Sequence, residues 1–121
     1  MSFAVSDAVS QVLASALDGV TLRQRVIADN IANVDTPGFR ATSVDFETQL
    51  KAAISDGSFD KGIDSLAATT TPTDTPVGAN GNNVDLRKET MAAVQSQFQY
   101  QILTRAVSER FDLVKTAAAG L

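Results

Sequence analysis

Pro37 sets the sharpest limit on what this chain can fold into. Upstream of it, Leu13, Leu17, Val20, Ile27, Ile31 and Val34 fall at steps of three and four where the row is complete, with Gln24 between Val20 and Ile27. That spacing draws one apolar stripe along a helix. Pro37 lacks a backbone N–H and disfavours the helical region for Thr36, so the helix cannot run through it. Pro37-Gly38 fits a type II turn, in which Pro presets φ and Gly supplies the positive φ that follows. The reading is a first helix from about Asp7 to Val34, with Ser6 and Asp7 as candidate N-caps. Asp18-Gly19 interrupts it. A mid-helix Gly costs about 1 kcal/mol against Ala, so Gly19 is either a tolerated weak point or a place where a neighbouring helix comes close.

The other end of the chain carries a further stripe. Met91, Val94, Phe98 and Ile102, then Val107, Phe111, Val114, Ala118 and Leu121, keep helical spacing but drift by one position near Tyr100, a stutter rather than an unbroken heptad. Asp85 is placed to cap this helix, Glu89 adds negative charge near its positive end, and Gly120 is a candidate stop. Between the two helices the pattern weakens. Val44, Phe46, Thr48 and Leu50 admit either a brief strand or a short helix over Phe46–Ala53. From Ala67 to Pro76 there is no large apolar residue, and Gly78-Ala79-Asn80-Gly81-Asn82-Asn83 follows, rich in turn formers. Such a segment buries too little to offset its ordering entropy, so it is expected to be mobile or ordered only by neighbours.

The fold class expected is mainly α. Two long terminal helices pack as an antiparallel coiled-coil-like pair around an irregular middle that is partly β or disordered. The division is an N-terminal helical unit over residues 1–35, a variable middle over 36–83 and a C-terminal helical unit over 84–121. Each stripe needs a partner. Val5, Val9 and Val12 on the N-terminal helix and Leu103 on the C-terminal one form an apolar surplus, which points to further helices supplied by other subunits.

Composition removes several functions. The 121 residues include no cysteine and no histidine, so thiolate chemistry, disulfides, the commonest general base and the commonest transition-metal ligand are all missing. A formal charge of −4 with scattered basic residues does not suit a nucleic-acid protein. No apolar run is long enough to span a bilayer. Met1–Asp7 lacks the basic and apolar regions of a cleavable secretory signal. Asp45 and Glu47 read as solvated carboxylates. Asp56, Asp60 and Asp64 lack the glycine arrangement of an EF-hand loop, and there is no Gly-rich phosphate loop. No catalytic, cofactor-binding or metal-ligating residue is therefore assigned.

The run Leu22-Arg23-Gln24-Arg25-Val26-Ile27-Ala28-Asp29-Asn30-Ile31-Ala32-Asn33-Val34-Asp35-Thr36-Pro37-Gly38-Phe39 resembles the N-terminal motif of the bacterial flagellar rod and hook proteins. Gly81-Asn82-Asn83-Val84-Asp85-Leu86-Arg87-Lys88-Glu89, followed by Gln97-Phe98-Gln99-Tyr100-Gln101, resembles the C-terminal entry of the proximal rod branch of that family. The middle of the chain carries no such motif. The resemblance implies a non-enzymatic structural subunit of the flagellar basal body. It implies unfolded passage through the type III export channel, without a cleaved signal, and helical assembly into the periplasmic rod. The partners it implies are other copies of the chain, a rod–export-gate adaptor of the FliE type, rod proteins of the FlgC and FlgF types, the MS-ring protein and the export gate.

Asn30, Ile31, Asn33, Val34, Asp35, Thr36, Pro37, Gly38 and Phe39 form the candidate assembly and turn motif. Asn30 and Asn33 serve either assembly or a helix end that tolerates left-handed geometry. Val84, Met91, Val94, Phe98, Tyr100, Ile102, Val107, Phe111 and Val114 are the candidate packing residues of the C-terminal helix. Arg23 and Arg25 are solvated or ion-paired, with pairing to an acidic neighbour as the sharper idea. Tyr100 with Gln97, Gln99 and Gln101 suggests a polar seam between subunits. The competing functions are a soluble helical-hairpin adaptor or export chaperone and, more remotely, a small enzyme.

Overall fold

The computed structural model describes residues 3–57 and 68–119. Five elements follow in order: α1 (Phe3–Ala32), β1 (Thr42–Val44), α2 (Glu47–Ser55), β2 (Thr70–Pro72) and α3 (Leu86–Ala119). The molecule is mainly helical, and its two long terminal helices pack against each other in antiparallel sense. Ile27 shares a small cavity with Glu89 and Ala92, Gln24 bonds to Gln97, and Leu103 packs on Ala16 and Val20. At 1.5 Å per residue each helix is about 45–50 Å long.

Helix α1 starts at Phe3 rather than at Asp7, so Ser6 and Asp7 lie inside it and are not its caps. Nothing between Phe3 and Asp7 opposes helical geometry, since the segment has neither Pro nor Gly. The helix ends as Pro37 requires. The Asn33 N–H is shared between the carbonyls of Asp29 (3.1 Å) and Asn30 (3.2 Å), and the Val34 N–H bonds to Ile31 O at 3.2 Å, a tightened last turn.

Two sides of α1 are covered. Val20, Gln24 and Ile27 of the predicted stripe lie next to α3. Another side, unforeseen from the stripe, packs on the middle of the chain. Ala16 and Val20 join Val44 and Phe46 in the main core, with Leu22, Val26, Leu50, Ala68 and Leu103 around it. Ala8 meets Ala53 of α2, with Val12 and Leu50 beside them. Val12 and Leu103 are thus internal contacts, not surplus. The side chain of Val5 lies outside the described residues.

Gly19 is neither a weak point nor a helix crossing. A Cβ there would fall on the Phe46 ring, well inside van der Waals contact. Two effects oppose each other in Gly19→Ala. The helical preference of Ala adds about 1 kcal/mol, whereas forcing Phe46 out of a packed core removes about 1–3 kcal/mol. We expect the steric term to win and the denaturation midpoint to fall. An unchanged or raised midpoint would show that Phe46 has room to move.

Residues 68–83 are ordered by contacts within one chain, where composition predicts mobility or ordering only by neighbours. Of the two alternatives for Phe46–Ala53 the helix is realised, as α2, while the brief strand β1 lies before it at Thr42–Val44. Asp45 starts α2: its carboxylate accepts the Thr48 N–H at 3.3 Å and the Thr48 hydroxyl at 2.9 Å. The Thr-rich segment pairs antiparallel with β1, in the register Thr42↔Pro72, Ser43↔Thr71, Val44↔Thr70. Backbone pairing supplies what its small side chains cannot. Asp85 caps α3, accepting the Lys88 N–H at 3.1 Å. Asp60, Asp64, Gly120 and Leu121 lie outside the described residues.

Helix α3 reverses one expectation. Met91, Val94, Phe98, Ile102, Phe111 and Val114 are all more than half exposed, and Tyr100 and Val107 are exposed as well. The seam with α1 is instead the row Glu89, Ala92, Ser96, Gln99, Leu103, Ala106 and Arg110, buried or half-buried at alternating steps of three and four. Small side chains at Ala92, Ser96 and Ala106 let the two backbones approach, which a row of Phe, Ile and Met would prevent. Within one chain the apolar stripe of α3 therefore does not form the pair.

Candidate functional site

The two motifs, far apart in sequence, form one hydrogen-bonded joint at the end of the helix pair. It is built upward from the turn that Pro37 imposes. Thr36-Pro37-Gly38-Phe39 closes with the Phe39 N–H on Thr36 O at 3.2 Å, and Gly38 has φ +76°. This is the type II geometry expected of Pro-Gly. The Asn80–Asn83 loop lies against it. The Gly38 N–H donates to Asn80 O at 2.9 Å, and the Asn83 N–H donates to Phe39 O at 3.2 Å. Gly81 (φ +80°) passes so close that a Cβ on it would sit 3.3 Å from Gly38 Cα.

Three buried asparagines lock the joint. Asn82 donates through Nδ2 to Asn33 O and Thr36 O, each at 2.8 Å, while its Oδ1 accepts the Val84 N–H at 2.8 Å. One side chain thereby ties two carbonyls of the turn after α1, each of which also accepts a backbone N–H within that turn, to one amide just before α3. Asn83 accepts the Ala41 N–H at 2.6 Å, and its own carbonyl accepts the Thr75 hydroxyl at 2.7 Å. Asn30, only 1% exposed, donates to Thr42 O at 2.8 Å and accepts the Thr42 N–H at 3.3 Å. It acts as a strand partner for the edge of β1 that β2 leaves open.

Asn30 is thus internal and not available to a neighbouring subunit. Asn33 has a local role, but not a left-handed one, because no non-glycine described residue has positive φ. Its Nδ2 bonds back to Asp29 O at 2.8 Å, and its Oδ1 accepts the Thr36 hydroxyl at 3.0 Å. Ile31, Val34 and Phe39 are half-buried, and Asp35, Thr36, Pro37 and Gly38 are exposed.

Arg23 is another hub. Its Nη2 donates to Val44 O at 2.6 Å, its Nη1 to Gln99 Oε1 at 2.9 Å, and both bond to the Glu47 carboxylate. The guanidinium also lies 4.8 Å from the centre of the Phe46 ring. The acidic partner expected for Arg23 is therefore in the same chain, whereas Arg25 is exposed. Gln97 and Gln99, expected in a seam between subunits, bond to Gln24 and Arg23 of their own α1. Asn82, Asn83 and Glu47 are the structural residues that pattern reading misses. The one available signal is that Gly81-Asn82-Asn83 stands out as a motif without an assigned partner.

Among the described residues, no group of three or more His, Cys, Asp or Glu is placed to hold a metal. No helix among the described residues is long and apolar enough to cross a membrane. What the arrangement does is mechanical: it fixes the angle at which both helices leave one end. Gly38→Val tests that. Space for the Cβ is open, so the penalty is purely conformational, about 1–3 kcal/mol for a β-branched residue at positive φ. We expect a lower melting temperature. A wild-type value would refute the turn's importance.

A family described as "Flagella basal body rod protein" matches residues 11–40, the stretch that carries most of α1 and the turn. Over longer spans the chain is similar to curated proteins called flagellar basal body rod protein FlgB. The Bacillus subtilis protein is 34% identical over 119 residues, covering 91% of this chain and 92% of its own length. That of Borreliella burgdorferi is 34% identical over 113 residues, covering 78% and 84%. The Escherichia coli protein is 32% identical over 120 residues, covering 84% and 86%.

Proposed function

The chain belongs to the FlgB family of flagellar basal body rod proteins, a structural subunit of the rod, and from that premise we propose how it is built for the task. The unit added to the rod is the α1–α3 pair held at one end by the asparagine joint, not two independent helical segments with a variable middle. Residues 1–35 and 84–121 form its core, and 36–83 sets the angle between them. The observation that carries this reading is that both family motifs meet in one joint while the large apolar residues of α3 stay outside.

Surface of that kind is stable only when covered. Neighbouring subunits cover it, and assembly energy adds to a fold that is modest alone. Helical addition follows when that contact joins unlike faces through a rotation that does not close into a ring. Torque then passes through many packed helices rather than any single bond. The proposed site is the periplasmic rod, reached through type III export. The proposed neighbours are further copies, a FliE-type adaptor, FlgC- and FlgF-type rod proteins, the MS-ring protein and the export gate. No catalytic step is assigned to the chain.

Deleting the gene and imaging extracted basal bodies tests this. The expected result is rings without a rod and no swimming, both restored by the intact chain. Normal swimming with complete rods would overturn it.

A further inference from the structure

We propose that the apolar stripe on the first half of α3 docks onto the outward face of α1 in a second copy of the chain. This rests on the rod-subunit reading and specifies which surfaces meet. Met91, Val94, Phe98 and Ile102 are 59%, 54%, 62% and 67% exposed. At 3.6 residues per turn they share an arc of about 80°, to one side of the seam that faces their own α1. Arg87, Lys88 and Arg105 fringe this stripe, and no acidic residue occurs from Thr90 to Ser108.

The opposite character is found on α1. Ser10, Ala14, Asp18, Thr21, Arg25 and Ala28 follow one another at steps of three and four and are all exposed. Small side chains there make a shallow surface against which large ones can pack closely. Asp18 and the adjoining exposed Asp29 carry charge opposite to the fringe of the α3 stripe. Arg25 lies between them, and its alkyl stem can lie along the apolar residues with its head in water. Two existing contacts are weak enough to exchange: Asp29 accepts Asn33 Nδ2 at 3.3 Å, and Arg105 pairs with Glu109 at 3.1 Å on an exposed surface.

Both halves of this match are on the chain, yet they cannot meet within it. The side of α3 that faces its own α1 is the row through Ser96 and Leu103, with Ile102 at its edge beside Val20, and the side of α1 that faces α3 runs through Val20 and Ile27, away from the exposed row through Asp18. The occupant is therefore a second copy. Unlike faces are used, so each docked copy leaves a free α3 stripe and a free α1 face for the next.

The absence of cysteine makes the test unambiguous. In a deletion strain, alleles carrying Ala14→Cys or Ala28→Cys are co-expressed with alleles carrying Val94→Cys or Ile102→Cys, using only alleles that swim on their own. Lys51→Cys, on the exposed face of α2, is the control. After mild oxidation of extracted basal bodies, at least one α1–α3 combination should give a mixed disulfide dimer, about tenfold above the control. In parallel, Asp18→Lys with Asp29→Lys should stop swimming, and adding Arg87→Glu with Arg105→Glu should restore it, with unchanged circular dichroism throughout. Docking is overturned if motile cells give no mixed dimer. It is also overturned if Val94→Cys joins only to itself or to a different basal-body protein. Those results leave the rod role intact, whereas complete rods in the deletion strain would remove the rod role itself.

Discussion

Asn82→Asp is expected to unfold the end of the helix pair, although it exchanges only an amide for a carboxylate of the same shape. The amide donates to Asn33 O and Thr36 O, both at 2.8 Å. A carboxylate donates nothing and sets its own negative oxygen against two carbonyls. Asn33 O keeps the Thr36 N–H and Thr36 O keeps the Phe39 N–H, so each lost bond costs about 0.5–1.5 kcal/mol, and burial of the new charge beside two carbonyls adds to that. The sum, about 3–5 kcal/mol, is a large part of the 5–15 kcal/mol that holds a typical domain together. The Val84 N–H can still be accepted, so Asn82→Ala separates the terms: it removes all three bonds but brings in no charge. If repulsion and desolvation matter, the Asn82→Asp variant melts below Asn82→Ala at neutral pH.

The pH dependence of Asn82→Asp gives an independent reading. Burial beside carbonyl oxygens raises a carboxyl's folded-state pKa above the unfolded value of about 3.9. The folded state then holds its proton more tightly than the unfolded one. Relative to wild type, the variant should regain stability as the pH falls through the raised pKa, because a protonated carboxyl donates to one of the two carbonyls. A flat difference in melting temperature from pH 7 to about pH 4.5 would mean that residue 82 is hydrated and not buried in the joint. In the cell, the same variant should fail to restore swimming to a deletion strain.

Helices and turn are legible in the sequence because local rules decide them. Pro37 and Gly38 permit few conformations, and the stripe through Val20 and Ile27 has no competing period. The partner of Asn82 is not legible, since nothing local in Gly81-Asn82-Asn83 points to carbonyls of the turn after α1. Only the meeting of chain ends brings donor and acceptor together. The seam of α3 escapes pattern reading for a related reason. Periodicity assigns burial to the largest apolar residues, as is usual for an isolated domain. Here Ala92, Ser96 and Ala106 take the seam inside the chain, and Phe98 and Ile102 remain outside. Size ranks what is worth burying, but does not say whether the burying surface belongs to the same molecule. The Thr-rich segment reads as mobile because its side chains are poor in apolar area, yet a three-residue pairing with β1 uses backbone groups that composition does not reveal.

Arg23→Met should be nearly as damaging as the loss of Asn82, and for a different reason. Methionine keeps most of the alkyl stem, so packing survives and only the guanidinium is removed. Four contacts go with it: Val44 O, the Glu47 carboxylate, Gln99 Oε1 and the Phe46 ring. They do not weigh equally. The Glu47 side chain is 50% exposed, and water takes over much of that pair, which leaves about 0–1 kcal/mol. Val44 is buried, and its carbonyl accepts two donors from this one side chain. Losing both strands the open edge of β1, at about 2–4 kcal/mol with the charge-assisted bond to Gln99 included. Glu47→Gln should therefore be mild and Arg23→Met severe, even though the ion pair is the most conspicuous contact between them. Arg23→Lys should not rescue, because one ammonium cannot reach Val44 O, Glu47 and Gln99 from a single point. Hydrogen exchange locates the damage: amides of Val44 to Leu50 should exchange faster in Arg23→Met, while the centre of α1 stays protected. Equal losses in Glu47→Gln and Arg23→Met would assign the hub to the ion pair instead and take that role away from the Val44 carbonyl.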